Sequence, residues 1–285
     1  MVITKIIGGL GNQLFQYAAG RTLAHVNNTI LKLDVSFFEE YEFRNFDLLN
    51  FTTNVDFATK QEIENLMPAH NFEKAFQYLS PLKKRTHHRE RYFHFDERFL
   101  NLGANVFLKG YFQSEKYFLP AKEIIRNELT FKENAIERVK DFSLELKERN
   151  SVSIHIRRGD YEKDPAIAKR HGTLSAGYYR SAIEIIKTKI QDPRFYLFSD
   201  DMDWATKNLQ LPDLVCVSNE ISKTHIEDFY LMSQCHHNII ANSSFSWWGA
   251  WLNNNAGKIV IAPDKWFNKG PKDTQDIIPA EWYKI

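Results

Sequence analysis

A chain of 285 residues with 43% hydrophobic and 26% charged side chains is long enough for a large core divided between two domains. Its formal net charge of +1 excludes the overall basic field that draws a protein onto nucleic acid or acidic lipid, so any anion site must be local. The opening "MVITKIIGG" meets glycines before a signal-peptide apolar region or a membrane span of roughly 20 residues could form. The expectation is a soluble cytoplasmic protein with no transmembrane segment, open to peripheral membrane association. Cys216 and Cys235 are too sparse for a disulfide framework or a zinc site and read as buried thiols.

In chain order, "VITKII" reads as a strand, "GGLGNQ" as a tight loop, "QLFQYAAGRTLAHV" as a helix and "TILKLD" as a second strand ending in Asp34. Residues 36 to about 125 read as irregular and aromatic-rich, with a basic run "KKRTHHRERY". "KENAIERVKDFSLELKERN" reads as an exposed amphipathic helix with the domain junction near its end, giving domains 1–150 and 151–285. Beyond it, strands "SVSIHI", "RFYLFS", "DLVCVS", "HNIIAN" and "KIVIAP" alternate with helices, which implies a parallel sheet covered on both faces. In such sheets ligands bind outside the carboxyl ends of the strands, and three polar clusters stand there: "HIRRGDY", "FSDD" and "ANSSFSWW".

Asn242, Ser243 and Ser244 open a helix, where free N–H groups and the dipole attract phosphate, although in isolation simple N-capping is the plainer reading. Arg157 and Arg158 end a buried strand and need partners. A guanidinium fork matches phosphate oxygens, while a salt bridge to Asp160 is the plainer reading. Alternation sends the two arginines to opposite faces, so one of them can be structural. In Asp200, Asp201 and Asp203 a carboxylate can bond a base or ribose, or Asp201 and Asp203 can hold a divalent ion, while the plainer reading is that Ser199 or Asp200 caps the helix that begins near Met202. Trp247, Trp248 and Trp251 fit a helix packed on the sheet. Gly9, Gly11 and Asp34 imitate a dinucleotide fingerprint, which breaks where Leu14 stands in place of the third glycine. The adjacent pairs His87–His88 and His236–His237 do not have metal-site spacing.

"GGLGNQLFQYAAGRTLA", "SIHIRRGDY", "FSDD" and "NSSFSWWGAWL", in this order over nearly the whole chain, resemble the bacterial alpha-1,2-fucosyltransferases, relatives of the blood-group H enzymes. The resemblance implies an α/β GT-B-like architecture, two Rossmann-like domains facing across a cleft. It implies GDP-β-L-fucose as donor, inverting transfer to the 2-hydroxyl of a terminal galactose in an oligosaccharide, and no obligatory metal or other cofactor. Carried onto this chain, it gives Arg157 to the donor diphosphate with Arg158 and His155 beside it. Asn242, Ser243, Ser244 and Phe245 go to the phosphate turn, and Gly11, Asn12 and Gln13 to the donor sugar. Asp200 or Asp201 goes to the nucleoside end, and Asp160 or His155 to the acceptor proton. The competing readings are a nicotinamide dehydrogenase resting on the glycine loop and Asp34, and a non-catalytic sugar-nucleotide or glycan-binding module.

Overall fold

The computed structural model describes residues 1–40, 45–67, 79–159 and 165–285. The described residues divide into two compact units, Met1–Thr130 with Asp273–Ile277, and Phe131–Lys272 with Ile278–Ile285. The division falls earlier than the junction expected near residue 150. The reason is packing: Ser143, on the helix Lys140–Glu148, shares a hydrogen bond of 3.0 Å with Tyr230, and Ser151 Oγ donates to Leu146 O at 2.6 Å. Arg138, just before that helix, pairs with the buried Glu227. The expected single helix over 132–150 is also broken, into Glu133–Ile136, a 3₁₀ turn Glu137–Val139 and Lys140–Glu148.

The first unit is built on a four-stranded parallel sheet of order β2-β1-β4-β3, with β1 Val2–Lys5, β2 Leu31–Asp34, β3 His87–Arg89 and β4 Val106–Lys109. Both β3 and β4 lie within the stretch that reads as irregular. They are three and four residues long and end in exposed cations, so neither carries a period that sequence alone can reveal. The helix Leu10–Val26 begins three residues earlier than its apolar pattern suggests, with Gly8 at φ +80 turning the chain out of the β1 segment. A Cβ at Gly20 would stand 2.0 Å from Thr4 Oγ1, so this glycine is what lets the helix lie close on β1.

Two glutamines on that helix serve as internal struts. Gln13 is fully buried; its amide donates to Gly8 O at 2.9 Å and Asn45 O at 2.8 Å and accepts from Asp47 N at 2.9 Å. Gln16 accepts from Ile7 N at 2.9 Å and donates to Gly110 O at 3.2 Å. Buried backbone groups in irregular loops need such partners because no ladder serves them. Glu90 plays a similar part: its carboxylate accepts from Tyr111 N at 2.6 Å and Phe112 N at 3.0 Å, holding Phe112 at φ +52.

The second unit carries a six-stranded sheet of order β10-β9-β8-β5-β6-β7, all neighbours parallel. The strands are β5 Ser151–Ile156, β6 Arg194–Ser199, β7 Val215–Cys216, β8 His237–Ile239, β9 Val260–Ala262 and β10 Tyr283–Lys284. This is the doubly wound arrangement: the chain runs outward from β5 through β6 to β7, then returns to β8 on the other side and continues to β9 and β10. Its topological switch lies between β5 and β8. Val152, Ile154 and Ile156 pack with Tyr179, Ile183, Ile186, Leu197 and Ile239 in one core. Trp247 and Trp248 are fully buried and Trp251 nearly so, as their helical spacing predicts. Cys235 is buried, Cys216 only half so, and both are free thiols.

Gln13→Leu keeps the volume but orphans two carbonyls and one N–H, so its melting temperature should fall by several degrees, equivalent to roughly 2 kcal/mol or more; an unchanged melt would show that the strut is dispensable. Burial raises the Glu90 carboxyl from 4.5 to about 7, against the pull of the two backbone donors. Its folded value lies above its unfolded one, so the stability it contributes is complete below pH 4.5 and is lost as the pH rises through about 7. Between those limits the melting temperature of the native chain should fall more steeply than that of Glu90→Gln, and equal slopes would contradict the shift.

Candidate active site

The switch point gathers two of the polar clusters within the second unit. His155 is the penultimate residue of β5, and "RRG" follows that strand. Asn242 and Ser243 follow β8 and lead into the helix Ser244–Leu252. The two segments meet where the His155 and Phe245 rings pack with centroids 5.6 Å apart. His155 is 5% exposed, and its Nδ1 is buried without a hydrogen-bond partner among the described residues. Burial pulls the imidazole well below its ordinary pKa and the Arg157 charge pulls it further, so the ring is neutral in the working range.

The two arginines have different surroundings. Arg158 is 11% exposed; its guanidinium lies 3.9 Å over the Trp204 ring and its Nε is 3.4 Å from Asp201 Oδ2. That is an anchored, structural arginine. Arg157 is held by Asp200 Oδ2 at 3.0 Å through Nη1 and retains 27% of its side chain exposed. Asp200 also accepts the Arg158 backbone N–H at 2.8 Å, and a Cβ at Gly159 would stand 2.9 Å from Asp200 Oδ2. The glycine of "RRGD" thus lets the loop lie against the carboxylate that fixes it. Asp160 lies outside the described residues.

Several expectations change in this light. Asp200 orders the arginine loop, and Asp201 caps the helix Met202–Leu209 by accepting from Trp204 N at 3.1 Å, so both carboxylates have internal partners while staying partly exposed. Among the described residues no group of three or more His, Cys, Asp or Glu side chains is arranged to hold a metal ion. Asn242 does not face a phosphate: its Nδ2 donates to His171 O at 3.1 Å, Gly172 O at 3.2 Å and Trp266 O at 3.3 Å. Ser243 is the N-cap, its Oγ accepting from Phe245 N at 3.4 Å, and Ser244 stands half-exposed at the first helical position. The helix dipole and the N–H groups of its first turn remain directed toward the switch point.

In the first unit, Gly11 is buried in the first helical turn and Gln13 is consumed by the struts described above, so neither is a ligand group. Asn12 stays half-buried, with Oδ1 accepting from Gln113 Nε2 at 2.7 Å. Asp34 is 3% exposed, 3.5 Å from Lys5 Nζ, and accepts from Ser36 N at 3.0 Å, so it does not present the free carboxylate that a dinucleotide ribose needs.

Sequence reasoning passes over Asp228. It sits in the first turn of the helix His225–Gln234, one residue beyond the capping box formed by Thr224 and Glu227. Ser222 and Ser218 both donate to its carboxylate, the latter at 2.7 Å, and Ser218 Oγ in turn accepts from Ser199 N at 3.1 Å. Burial raises its pKa while the two serine hydrogen bonds oppose the shift. A carboxylate is therefore tied to the carboxyl ends of β6 and β7. The visible signal is the T-x-x-E-D string, which marks a helix start with a second acid on its inner side.

The glycosyl transferase family 11 model matches residues 1–285. The chain is 35% identical to the alpha-1,2-colitosyltransferase of Escherichia coli over 100% of this chain and 99% of that protein. It is 28% identical to galactoside alpha-(1,2)-fucosyltransferase 2 of Mus musculus over 67% of this chain and 58% of that protein. The solved fucosyltransferase NodZ from Bradyrhizobium has the same GT-B-like α/β fold, with a TM-score of 0.54 at 16% identity over 88% of this chain and 91% of that one; NodZ has also been crystallised after soaking with GDP-fucose. No helix among the described residues is long and apolar enough to cross a membrane. With the dinucleotide reading undone by the Asp34 ion pair and the whole length matched, this chain is a glycosyltransferase and belongs to glycosyl transferase family 11.

Proposed function

We propose that the protein is an inverting galactoside alpha-1,2-fucosyltransferase that moves L-fucose from GDP-β-L-fucose to the 2-hydroxyl of a terminal galactose in the cytoplasm, without an obligatory metal. The observation that carries this reading is the switch point itself. A partly exposed guanidinium, a neutral imidazole with an unpartnered buried nitrogen and a helix N-terminus rich in hydroxyls stand together at the ends of β5 and β8. The alpha-1,2 linkage in the names of both curated relatives supports the regiochemistry.

Cleavage of the fucose–GDP bond leaves oxocarbenium character on the sugar and builds negative charge on the β-phosphate. Fixed donors aimed at that charge stabilise the transition state more than the ground state. Arg157 supplies a permanent cation and two-pronged hydrogen bonding. Its Asp200 contact orients the fork before donor arrives. The Ser244 N–H and the helix dipole bind the remaining phosphate oxygens, with Ser243 capping Phe245 N and shaping the turn. His155, neutral and buried, offers its ring nitrogen as a hydrogen-bonding group to the donor. Its low basicity makes it a poor acceptor for the galactose proton, which leaves that role to Asp160. Asp200 or Asp201, each partly exposed, supplies the carboxylate for the nucleoside end.

A second reading of the donor has its own support. The relative that matches at full length is named a colitosyltransferase, and colitose is fucose without its 3-hydroxyl. A site built to bond a hydroxyl rejects the analogue that lacks it by as much as about 10⁴-fold, whereas a site built for the deoxy sugar discriminates far less. Competition between GDP-fucose and GDP-colitose, read as a ratio of kcat/KM, therefore decides the donor.

Arg157→Ala should lower kcat by roughly 10²-fold or more, and Arg157→Lys should recover little of it, because an ammonium cannot reproduce the fork. Near-native turnover by the lysine variant would sink the forked reading. GDP at 100 times its Kd should stabilise the chain by about 2.7 kcal/mol while NAD leaves the melt unchanged. Activity should survive excess EDTA, and a strict magnesium requirement would contradict a cation role filled by Arg157. Donor binding with no transfer to any galactoside would favour the non-catalytic module instead.

A further inference from the structure

The helix Met202–Leu209 follows directly on the Asp200–Asp201 pair, and its apolar residues do not all serve the core. Ala205 and Leu209, one turn apart, are its buried pair and belong to the core of the second unit. Trp204 stands one position off that stripe: it packs against the same core but stays only half-buried. Part of its ring is covered by a charge. The Arg158 guanidinium carbon lies 3.9 Å from the ring centroid, well inside the roughly 6 Å within which an aromatic face attracts a cation.

That contact closes a circuit. Arg158 Nε is 3.4 Å from Asp201 Oδ2, and the other oxygen of the same carboxylate, Oδ1, accepts from Trp204 N at 3.1 Å. Ring, guanidinium, carboxylate and backbone N–H therefore hold one another, and Ser199 Oγ fixes the turn by accepting from Asp201 N at 2.9 Å. A guanidinium this deep needs two kinds of support, a carboxylate for its charge and a flat surface for its face, which hydrogen bonds along its edge leave bare.

Arg157 hangs from this circuit. Arg158 N donates to Asp200 Oδ1 at 2.8 Å, and Arg157 Nη1 lies 3.0 Å from Asp200 Oδ2, so one carboxylate spans the anchored residue and its neighbour. Any shift of Arg158 is transmitted to Arg157 twice, through the peptide bond between them and through Asp200. All of these residues lie within the second unit.

We propose that Trp204 is a positioning residue for phosphate recognition: its ring clamps Arg158 and thereby sets the direction of the Arg157 fork, without touching the donor itself. The inference rests on the reading that gives Arg157 to the β-phosphate of the donor. A ring placed here only to fill the core would be replaced by leucine at no cost to binding. A ring that stacked a nucleobase would matter as much for GMP as for GDP.

The test measures the binding of GDP and GMP by calorimetry to the native chain and to Trp204→Leu, Trp204→Phe and Arg157→Ala, each with a cooperative melt. GMP lacks the phosphate assigned to Arg157 and so reports on the remainder of the site. Trp204→Leu should weaken GDP binding roughly 10-fold and leave GMP binding within about 2-fold of native. Trp204→Phe should restore most of the loss, because it keeps an aromatic face, and Arg158→Lys, which keeps the charge and loses the plane, should reproduce Trp204→Leu. In the double variant of Trp204→Leu with Arg157→Ala, GDP should bind as it does to Arg157→Ala alone, since both changes remove the same contact. Equal losses for GDP and GMP, or additive losses in the double variant, would overturn the proposal. Weakened GDP binding in Arg157→Ala with none in Trp204→Leu overturns the positioning role alone, whereas native GDP affinity in Arg157→Ala overturns the phosphate reading of Arg157 and the proposal with it. The measurement needs no sugar transfer, so GDP binding without fucosylation would count against the donor reading and leave the cycle decisive for Trp204.

Discussion

Parallel strands whose connections leave in opposite directions cannot be bridged by their own crossovers at the carboxyl end, and in this chain that gap falls between β5 and β8. Everything chemical in the second unit is organised by it. The segment after β5 carries the arginines, and the segment after β8 turns into a helix whose N-terminal dipole points into it. A sheet that ran in sequential order would have closed this space with backbone. The doubly wound order leaves it open and lines it with an oriented guanidinium and a helix dipole.

The charges at the gap are arranged so that each is supported. Arg158 is stacked on Trp204 and pinned by Asp201, which itself caps the next helix, so a single carboxylate links the loop to the scaffold. Asp200 then holds the backbone of Arg158 and the side chain of Arg157 together. An isolated guanidinium at this depth would be costly, and the carboxylate offsets that cost in the free state. It also lowers the entropy lost when phosphate arrives, because the fork is already oriented. The neutral state of His155 belongs to the same balance: a second cation beside Arg157 in a buried place would be unfavourable, so burial and the arginine together keep the ring uncharged.

The first unit meets a different problem. Its strands are short and its connections long, so its loops must find hydrogen-bond partners without a ladder. Gln13, Gln16 and Glu90 supply them, each satisfying backbone groups from segments remote in sequence. Amides in a glycine-rich turn look from sequence like ligand groups, and here one of them, Gln13, is framework. Arg89, from the basic run, and Lys109 align at neighbouring strand ends. The polarity of a residue type does not say whether its partner is internal or external; only the count of satisfied groups does.

Read alone, the sequence was enough for the alternation of strand and helix after residue 150, the placement of "HIRRG" and "NSSF" at strand ends, and the buried tryptophan helix. Those follow from local periodicity, which each segment carries within itself. The family was legible for a related reason: its motifs are compact strings. Tertiary structure decided the rest. It showed β3 and β4 inside a stretch with no period and moved the junction from residue 150 to Thr130, because helix packing and not linker composition sets a boundary. It also divided the labour of the adjacent arginines and gave Gln13, Asn242, Asp200 and Asp201 internal partners. Each of those outcomes depends on which distant group reaches a given polar atom, and hydrogen-bond partners separated by 30 to more than 100 positions leave no trace in local pattern.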